Sequence, residues 1–482
     1  MTTDWRMPGE WERHQRTYLG WPQWLEDPKK GQKDPAQIAF AAVAKAIAEF
    51  EPVTVAANPD QVDKARAALH ESVEVASIPQ NDSWFRDTGP TFVTRDGDNG
   101  KEIAGVNWGF DAYGGLNDEH ELDDEIARCI CKQADIDLIE GPMVLEAGSI
   151  HVDGEGTLIS TEECLLNKTK RARNPKLSRE QIEGNLKKLL GVTKIVWLPL
   201  GLYADNDTTG HVDNLACFAA PGKVLLAWTD DEKDPQYERS REAKRILEAA
   251  TDAQGRKLEV IKLPLPDPLS KTAEEAGESA RNKGGKGNEN GKVDNEDEDD
   301  EQADEEEEEE DDDDEAPKAG DRMAASYINF YICNGGIVMP ALGQEPADSR
   351  AQKVLEDTFP DRKVVAVPTR KEKPTWLRRN ICRMTFIAWL NWPAAETGYL
   401  QEVLRVAFRK VSSLYVSKPN LLAVEGHLPR FQAKPLLILP ERKGSAGARA
   451  THQRTRRSSR SACQGAQWMP LATWRIQACG TS

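Results

Sequence analysis

The chain has 482 residues and a formal net charge of −18, which is unevenly distributed. Residues 271–320 hold about 23 acidic against 6 basic side chains, and residues 371–482 about 19 basic against 5 acidic ones. The rest is only mildly acidic, so the overall charge does not identify a partner for the folded part. No run reaches the roughly 18 apolar residues that a membrane span needs, and the first residues do not predict a secretory signal.

The eight cysteines are scattered without the paired spacing of a disulfide framework or a zinc finger. This pattern favours a reduced, cytoplasmic protein with free thiols. Cys164, Cys217 and Cys333 lie in apolar stretches and are interpreted as buried structural residues.

Helices and strands alternate along the chain in five units. Cap residues mark two helix starts: Asp34 before Pro35, and a capping box at Ser178–Gln181. The predicted helices cover 34–50, a segment from 58, 121–133, 178–191, 235–250 and 348–359. The predicted strands cover 53–55, 73–75, 136–139, 157–159, 194–198, 224–228, 258–263, 336–339 and 363–367.

Five strand–helix–strand units predict an α/β fold in which the units close into a ring. Ligands of open α/β sheets bind outside the carboxyl ends of the strands, and in a ring these loops would face one central site. Two unrelated α/β domains are the alternative. The repeating part occupies residues 1–270 and 322–370.

Two segments interrupt this repeat. Residues 271–321 include an unbroken acidic run from Glu305 to Asp314, cannot bury apolar surface, and are predicted to be a disordered surface insertion. Residues 371–482 are basic and have no persistent periodicity. We interpret this tail as an out-of-frame or retained-intron product, with a natural basic interaction tail as the alternative.

Polar residues follow the strands of the first three units: Asp87, then Glu146, then His211 and Asp213. Paired carboxylates match the donors on the edges of a planar guanidinium group. A histidine oriented by a further acid can transfer protons, and a cysteine thiolate can form a covalent intermediate. The combination favours displacement at a guanidinium carbon.

Each residue also has a simpler interpretation. Asp87 precedes Thr88-Gly89-Pro90 and is also typical of a turn. Glu146 could form only local hydrogen bonds, and His211 with Asp213 could belong to a surface turn or a metal site, although the few histidines disfavour a metal. Trp84 could pack in the core or form a wall of the site.

Several segments resemble the agmatine deiminase family, which is related to bacterial-type peptidylarginine deiminases. The matching stretches are Met7–His14, Thr17–Pro22, Asp82–Pro90, Trp108–Phe110, Gly148–Thr157, Thr161–Asn167, Gly210–Asn214 and Ala325–Tyr331. The resemblance covers residues 1–270 and 322–370.

The resemblance implies a five-bladed α/β propeller that hydrolyses agmatine to N-carbamoylputrescine and ammonia without a cofactor or metal. Asp87 and Asp213 would hold the guanidinium group, His211 would be the general acid and base, and Glu146 would orient His211. A small cationic guanidine is the expected partner, with no membrane or nucleic acid, and relatives suggest a homodimer.

Two departures from the family pattern matter. Ala147 stands where the family has the first glycine of Glu-Gly-Gly. The family's nucleophile segment, Gly-Gly-Gly-Asn-Ile-His-Cys, is replaced after Arg370, so no nucleophile is assigned. Cys382 lies at nearly the expected distance but lacks the glycines and the histidine, which also predicts an incomplete last unit.

Three functions follow from these observations. The first is an agmatine deiminase, with protein-arginine deiminase as a variant. The second is an inactive relative that still binds guanidinium compounds through Asp87 and Asp213. The third is an interaction protein that uses the acidic insertion and the basic tail.

Overall fold

The computed structural model describes residues 4–23, 34–97, 100–169, 171–271 and 318–368, and the backbone of residues 385–388. All of them belong to one compact unit, Met1–Trp392. The predictions for most of the acidic insertion and for the basic tail therefore lie outside the described residues. Cys382 lies outside them as well.

The described strands are short and number from β1 to β16. They are β1 (Arg16–Gly20), β2 (Val53–Ala57), β3 (Val73–Ser77), β4 (Thr91–Gly97), β5 (Gly100–Gly109), β6 (Asp137–Val144), β7 (Ile150–Val152), β8 (Thr157–Thr161), β9 (Lys194–Leu198), β10 (Ala216–Ala220), β11 (Lys223–Trp228), β12 (Glu259–Pro264), β13 (Tyr331–Cys333), β14 (Gly336–Ala341), β15 (Lys363–Pro368) and β16 (Thr385–Ala388).

The described helices connect these strands. They are α1 (Pro35–Ile47), α2 (Val62–Ala68), α3 (Phe85–Thr88), α4 (Ala112–Gly115), α5 (Ile126–Ala134), α6 (Glu162–Leu165), α7 (Arg179–Leu190), α8 (Gln236–Ala249) and α9 (Ala347–Thr358). None of them combines the length and the apolar character that a membrane crossing requires.

The strands form five small sheets with a common plan. In four of them an antiparallel pair is followed by a third, parallel strand, in the orders β4-β5-β6, β7-β8-β9, β10-β11-β12 and β13-β14-β15. A helix connects the two parallel strands of each sheet, as a parallel connection requires. The mixed α/β class and the strand–helix–strand unit are thereby confirmed.

The sheet near the amino terminus has the order β16-β1-β2-β3. Its strands β1, β2 and β3 are parallel, and β16 supplies the antiparallel strand by pairing with β1. The expectation that residues 371–482 hold no persistent element therefore needs correction at Thr385–Ala388. The expectation of an incomplete last unit is also wrong, because β13, β14 and β15 repeat the plan of the other sheets.

Local sequence explains where the principal helices begin and end. Asp34 accepts a hydrogen bond from the N–H of Ala36 and caps α1, whose Phe40, Val43 and Ile47 are fully buried. The capping box of Ser178 and Gln181 forms at the start of α7. That helix ends at Gly191, as predicted, and this glycine has the left-handed conformation.

Candidate active site

The loops that follow the third strand of three sheets bring the predicted site residues together. Asp87 lies in α3 after β3, and Glu146 lies two residues after the end of β6. His211 and Asp213 lie in a turn between β9 and β10. All four side chains are buried, with Glu146 and His211 fully so. The sequence prediction that they share one site is consistent with this arrangement.

Asp87 is held by donors at both carboxylate oxygens. The N–H of Gly148 donates to Oδ1 at 3.0 Å, and the Tyr113 hydroxyl donates to Oδ2 at 3.0 Å. Tyr113 reaches this position from a left-handed turn, with φ of 62°, that continues through two glycines. Such a turn is costly for a side-chain-bearing residue and occurs mainly where the surroundings fix it.

Three side-chain atoms converge above Gly148. A Cβ atom added there would lie 2.7 Å from Asp87 Oδ1, 2.7 Å from His211 Nδ1 and 2.8 Å from Asp213 Oδ2. The missing side chain at this position lets two carboxylates and an imidazole lie closer to the backbone than a residue with a Cβ atom would allow. Two carboxylates that are brought together in this way suit a planar cation, because carboxylates on its two sides can accept hydrogen bonds from its edges.

Glu146 is fixed by a buried ion pair. The Nε of Arg173 donates to Glu146 Oε1 at 3.0 Å, and neither side chain is exposed to solvent. Arg173 also donates to the carbonyl of Thr208, three residues before His211. Burial alone would raise the pKa of Glu146, but Arg173 and His211 lower this pKa to about 2.

The imidazole of His211 lies between two carboxylates. Its Nδ1 is 3.8 Å from Asp87 Oδ1 and its Nε2 is 3.7 Å from Glu146 Oε2, which are ion-pair rather than hydrogen-bond distances. Burial would lower the pKa of His211, but Asp87, Cys164 and Glu146 raise this pKa to about 10. These neighbours favour the imidazolium form of His211, which can donate a proton.

The remaining predicted residue, Trp84, has a different neighbourhood. Its ring contacts Phe40 of α1 at a centroid distance of 6.5 Å and packs against the core around β1–β3. Its carbonyl accepts the N–H of Asp87 at 3.0 Å. Trp84 thus supports the backbone of the site, and its role as a wall for the ligand stays a prediction.

Comparisons with known proteins assign the chain to a family. Residues 6–372 match the model of the Porphyromonas-type peptidyl-arginine deiminase family. The chain belongs to this family. It is 46% identical over 376 residues to an agmatine deiminase of Medicago truncatula, covering 76% of this chain and 91% of the relative. It is 48% identical over 373 residues to an agmatine deiminase of Stutzerimonas stutzeri, covering 76% and 90%.

Solved structures of the family extend the likeness to the fold. The agmatine deiminase of Enterococcus faecalis superposes with a TM-score of 0.65 at 36% identity, and the match covers 80% of this chain and 96% of that one. The resemblance drawn from the sequence motifs is thereby confirmed.

Sequence reasoning missed two residues of this deiminase-family site, Tyr113 and Arg173. Arg173 lies 27 residues after its partner Glu146 in an irregular segment, where no periodicity predicts a contact. The Gly114-Gly115 pair after Tyr113 indicates a turn but not its left-handed course. Cys164 was interpreted as structural, yet its sulfur lies near Glu146 and His211, and these three residues could hold a metal ion.

Proposed function

We propose that this protein hydrolyses agmatine to N-carbamoylputrescine and ammonia. The observation that carries the proposal is the buried convergence of Asp87, His211 and Asp213 above Gly148, next to an ionised Glu146. Carboxylates in a buried site favour a cation over a neutral ligand. The agmatine deiminases among the relatives support the choice of agmatine as the guanidine.

The reaction assigns a separate task to each of these side chains. Asp87 and Asp213 hold the guanidinium edges and fix its plane. A thiolate adds to the guanidinium carbon, and His211 donates its proton as ammonia leaves. His211 then accepts a proton from the water that hydrolyses the covalent intermediate, while Glu146 stabilises the imidazolium.

The attacking thiol is not among the residues assigned above. In the family pattern it follows the last strand of the fifth unit, and here that strand is β15, which ends at Pro368. Cys382 is the candidate that the spacing favours, and it lies outside the described residues. The guanidinium contacts of Asp87 and Asp213 do not depend on the identity of this thiol.

We infer further that the five sheets close into a five-bladed propeller. The pairing of β16 with β1 supports this inference, because it gives the sheet near the amino terminus an antiparallel strand from a distant part of the chain. A cytoplasmic location and a homodimer complete the proposal.

Replacement of the two guanidinium-binding carboxylates tests the proposal. We expect Asp87→Asn and Asp213→Asn each to lower kcat/KM for agmatine about 100- to 1,000-fold, because a neutral amide cannot compensate the positive charge of the guanidinium group. The exposed Asp60 offers a control, and Asp60→Asn should leave turnover unchanged. Ammonia release and calorimetric titration with agmatine would be measured on the same preparations.

The outcomes separate the alternative functions. Heat of binding without ammonia release would indicate an inactive guanidinium-binding relative. Faster release from peptidyl-arginine than from agmatine would indicate a protein-arginine deiminase. Equal turnover by wild type and both site variants would contradict the assignment of Asp87 and Asp213.

A further inference from the structure

Glu146, Cys164 and His211 form a buried group whose donor atoms lie within 4.8 Å of one another. Thiolate sulfur, imidazole nitrogen and carboxylate oxygen are the donors that zinc takes in proteins. Zinc bonds of about 2.0–2.3 Å hold ligand atoms within about 4 Å of one another. A movement of about 1 Å would therefore close this group around an ion.

The atoms of Glu146 and His211 that face each other make no hydrogen bonds to other residues. Arg173 binds Glu146 through Oε1, whereas Oε2 has no hydrogen-bond partner and lies 3.7 Å from His211 Nε2. Both ring nitrogens of His211 also lack a hydrogen-bond partner. Buried polar atoms without hydrogen bonds lower the stability of the folded protein. An ion that binds these atoms would therefore stabilise it.

The surrounding groups are of the kinds that support metal ligands in proteins. A metal-bound histidine is commonly held by a carboxylate at its other nitrogen, and Asp87 Oδ1 lies 3.8 Å from His211 Nδ1. A metal-bound carboxylate is commonly fixed by a further donor, and Arg173 fixes Glu146.

A single hydroxyl fixes the thiol relative to the histidine. The Oγ1 of Thr161 accepts the N–H of Cys164 at 3.3 Å and donates to the carbonyl of Gly210 at 2.6 Å. Gly210 directly precedes His211 in the chain. The backbones that carry the sulfur and the imidazole are therefore joined in the absence of a metal.

We propose that Glu146, Cys164 and His211 bind a zinc ion and that this ion inhibits the enzyme. The ion would bind Nε2 of His211 and the oxygen of Glu146 that faces it, so that the imidazolium that serves as the proton donor could no longer form. Binding would release the protons of the thiol and the imidazolium to water, with no change of oxidation state. The inhibitory half of this proposal rests on the proposed function, whereas the binding half does not.

Cobalt binding tests the site without reference to activity. The full-length chain would be titrated with Co²⁺, which reports a thiolate ligand through a charge-transfer absorption band. We expect the band in wild type and in Cys129→Ser, a control at a partly exposed cysteine, and its loss in Cys164→Ser. His211→Ala, a second variant, should weaken cobalt binding at least tenfold while it retains the thiol.

An unchanged absorption band in Cys164→Ser, or no band in wild type, would contradict metal binding by Glu146, Cys164 and His211. Zinc inhibition of agmatine hydrolysis is the second readout, and Cys164→Ser should need at least tenfold more zinc for half-inhibition, measured relative to that variant's own turnover without zinc. Equal sensitivity of both proteins would overturn the inhibitory role. If the wild-type chain releases no ammonia from agmatine in the absence of zinc, the proposed function is contradicted. The cobalt titration would still decide the metal site.

Discussion

Gly148 determines the shape of the site because its missing side chain lets Asp87, His211 and Asp213 approach its backbone closely. Gly148 has a backbone conformation that other residues also adopt. The effect of a substitution would therefore come from steric contact with the neighbouring side chains and not from backbone strain. We expect Gly148→Ala to lower kcat/KM for agmatine at least about 100-fold, since the added methyl group would push these three side chains out of position.

Gly184 is the matched control for this prediction. It lies on the exposed face of α7, and a Cβ atom added there would contact nothing. Gly184→Ala should keep full activity and stabilise the protein by up to about 1 kcal/mol. Steady-state kinetics and urea unfolding would be measured for both variants, and full activity of Gly148→Ala would place the guanidinium elsewhere.

Arg173 contributes to stability through the charge of Glu146. Removing one partner of a buried ion pair leaves the other charge uncompensated, so Arg173→Ala should lower the free energy of unfolding by about 3–5 kcal/mol. The exposed pair of Arg245 and Glu242 serves as the control, and Arg245→Ala should leave the free energy of unfolding almost unchanged. Similar losses in the two variants would show that Arg173 does not neutralise Glu146.

The sequence predicted only those site residues that lie in a recognisable local motif. Asp87, Glu146, His211 and Asp213 each follow a strand, and this common position relative to a strand indicated a shared site. Tyr113 and Arg173 reach the site from irregular segments, so their contacts depend on the tertiary fold and leave no periodic signal.

At the level of elements, a buried carboxylate connects the amino-terminal sheet to the last one. Glu51 accepts hydrogen bonds from Thr17 of β1 and, at 3.2 Å, from the Tyr331 hydroxyl of β13. It also accepts the N–H of Asn334 at 2.7 Å, and His14 Nδ1 lies 3.0 Å away. Burial would raise the pKa of Glu51, but the interactions with His14, Thr17 and Asn334 lower it.

This network predicts a specific dependence of stability on pH. Because the pKa of Glu51 is lower in the folded state than its ordinary value of 4.5, its stabilising contribution is complete above that pH and is lost as the pH falls. We expect Glu51→Gln to be less stable than wild type at neutral pH and to lose less stability between about pH 5 and 3.

Urea unfolding at several pH values would measure this difference. Glu71 is exposed, and Glu71→Gln should follow the wild-type profile throughout. Parallel profiles for wild type and Glu51→Gln would contradict the assigned ionised network.

Element prediction succeeded where caps and periodicity act locally. The starts of α1 and α7 follow from Asp34 and Ser178, because their side chains bond to backbone groups only a few residues away. The antiparallel strands β7 and β13 have three residues each, too few for a periodic pattern. β16 pairs with a strand at the other end of the chain, and no local signal specifies that pairing.

At the scale of the whole molecule, the two ends of the acidic insertion meet. The N–H of Lys271 donates to the carbonyl of Asp321 at 2.8 Å, and the N–H of Gly320 donates to the carbonyl of Lys271 at 2.9 Å. Ser270 also forms a β-bridge with Arg322. A short linker can therefore replace residues 272–317 without moving the strands on either side.

We expect a glycine–serine linker at this position to preserve agmatine turnover within about twofold. The shorter loop should raise the free energy of unfolding by about 1–2 kcal/mol, because its closure costs less chain entropy. Thermal unfolding and turnover would be compared with a variant whose deletion extends through Leu269–Met323, which removes the paired ends and should be less stable. A large loss of stability with the linker itself would show that the insertion contributes to the fold.

The most direct test of the whole account is product analysis with the purified full-length chain and agmatine. Mass spectrometry of the reaction in ¹⁸O-labelled water would identify the product and the origin of its oxygen. The account predicts N-carbamoylputrescine with one labelled oxygen and one equivalent of ammonia, and no product with Asp213→Asn. Agmatine that is bound by the folded protein but recovered unchanged would contradict it.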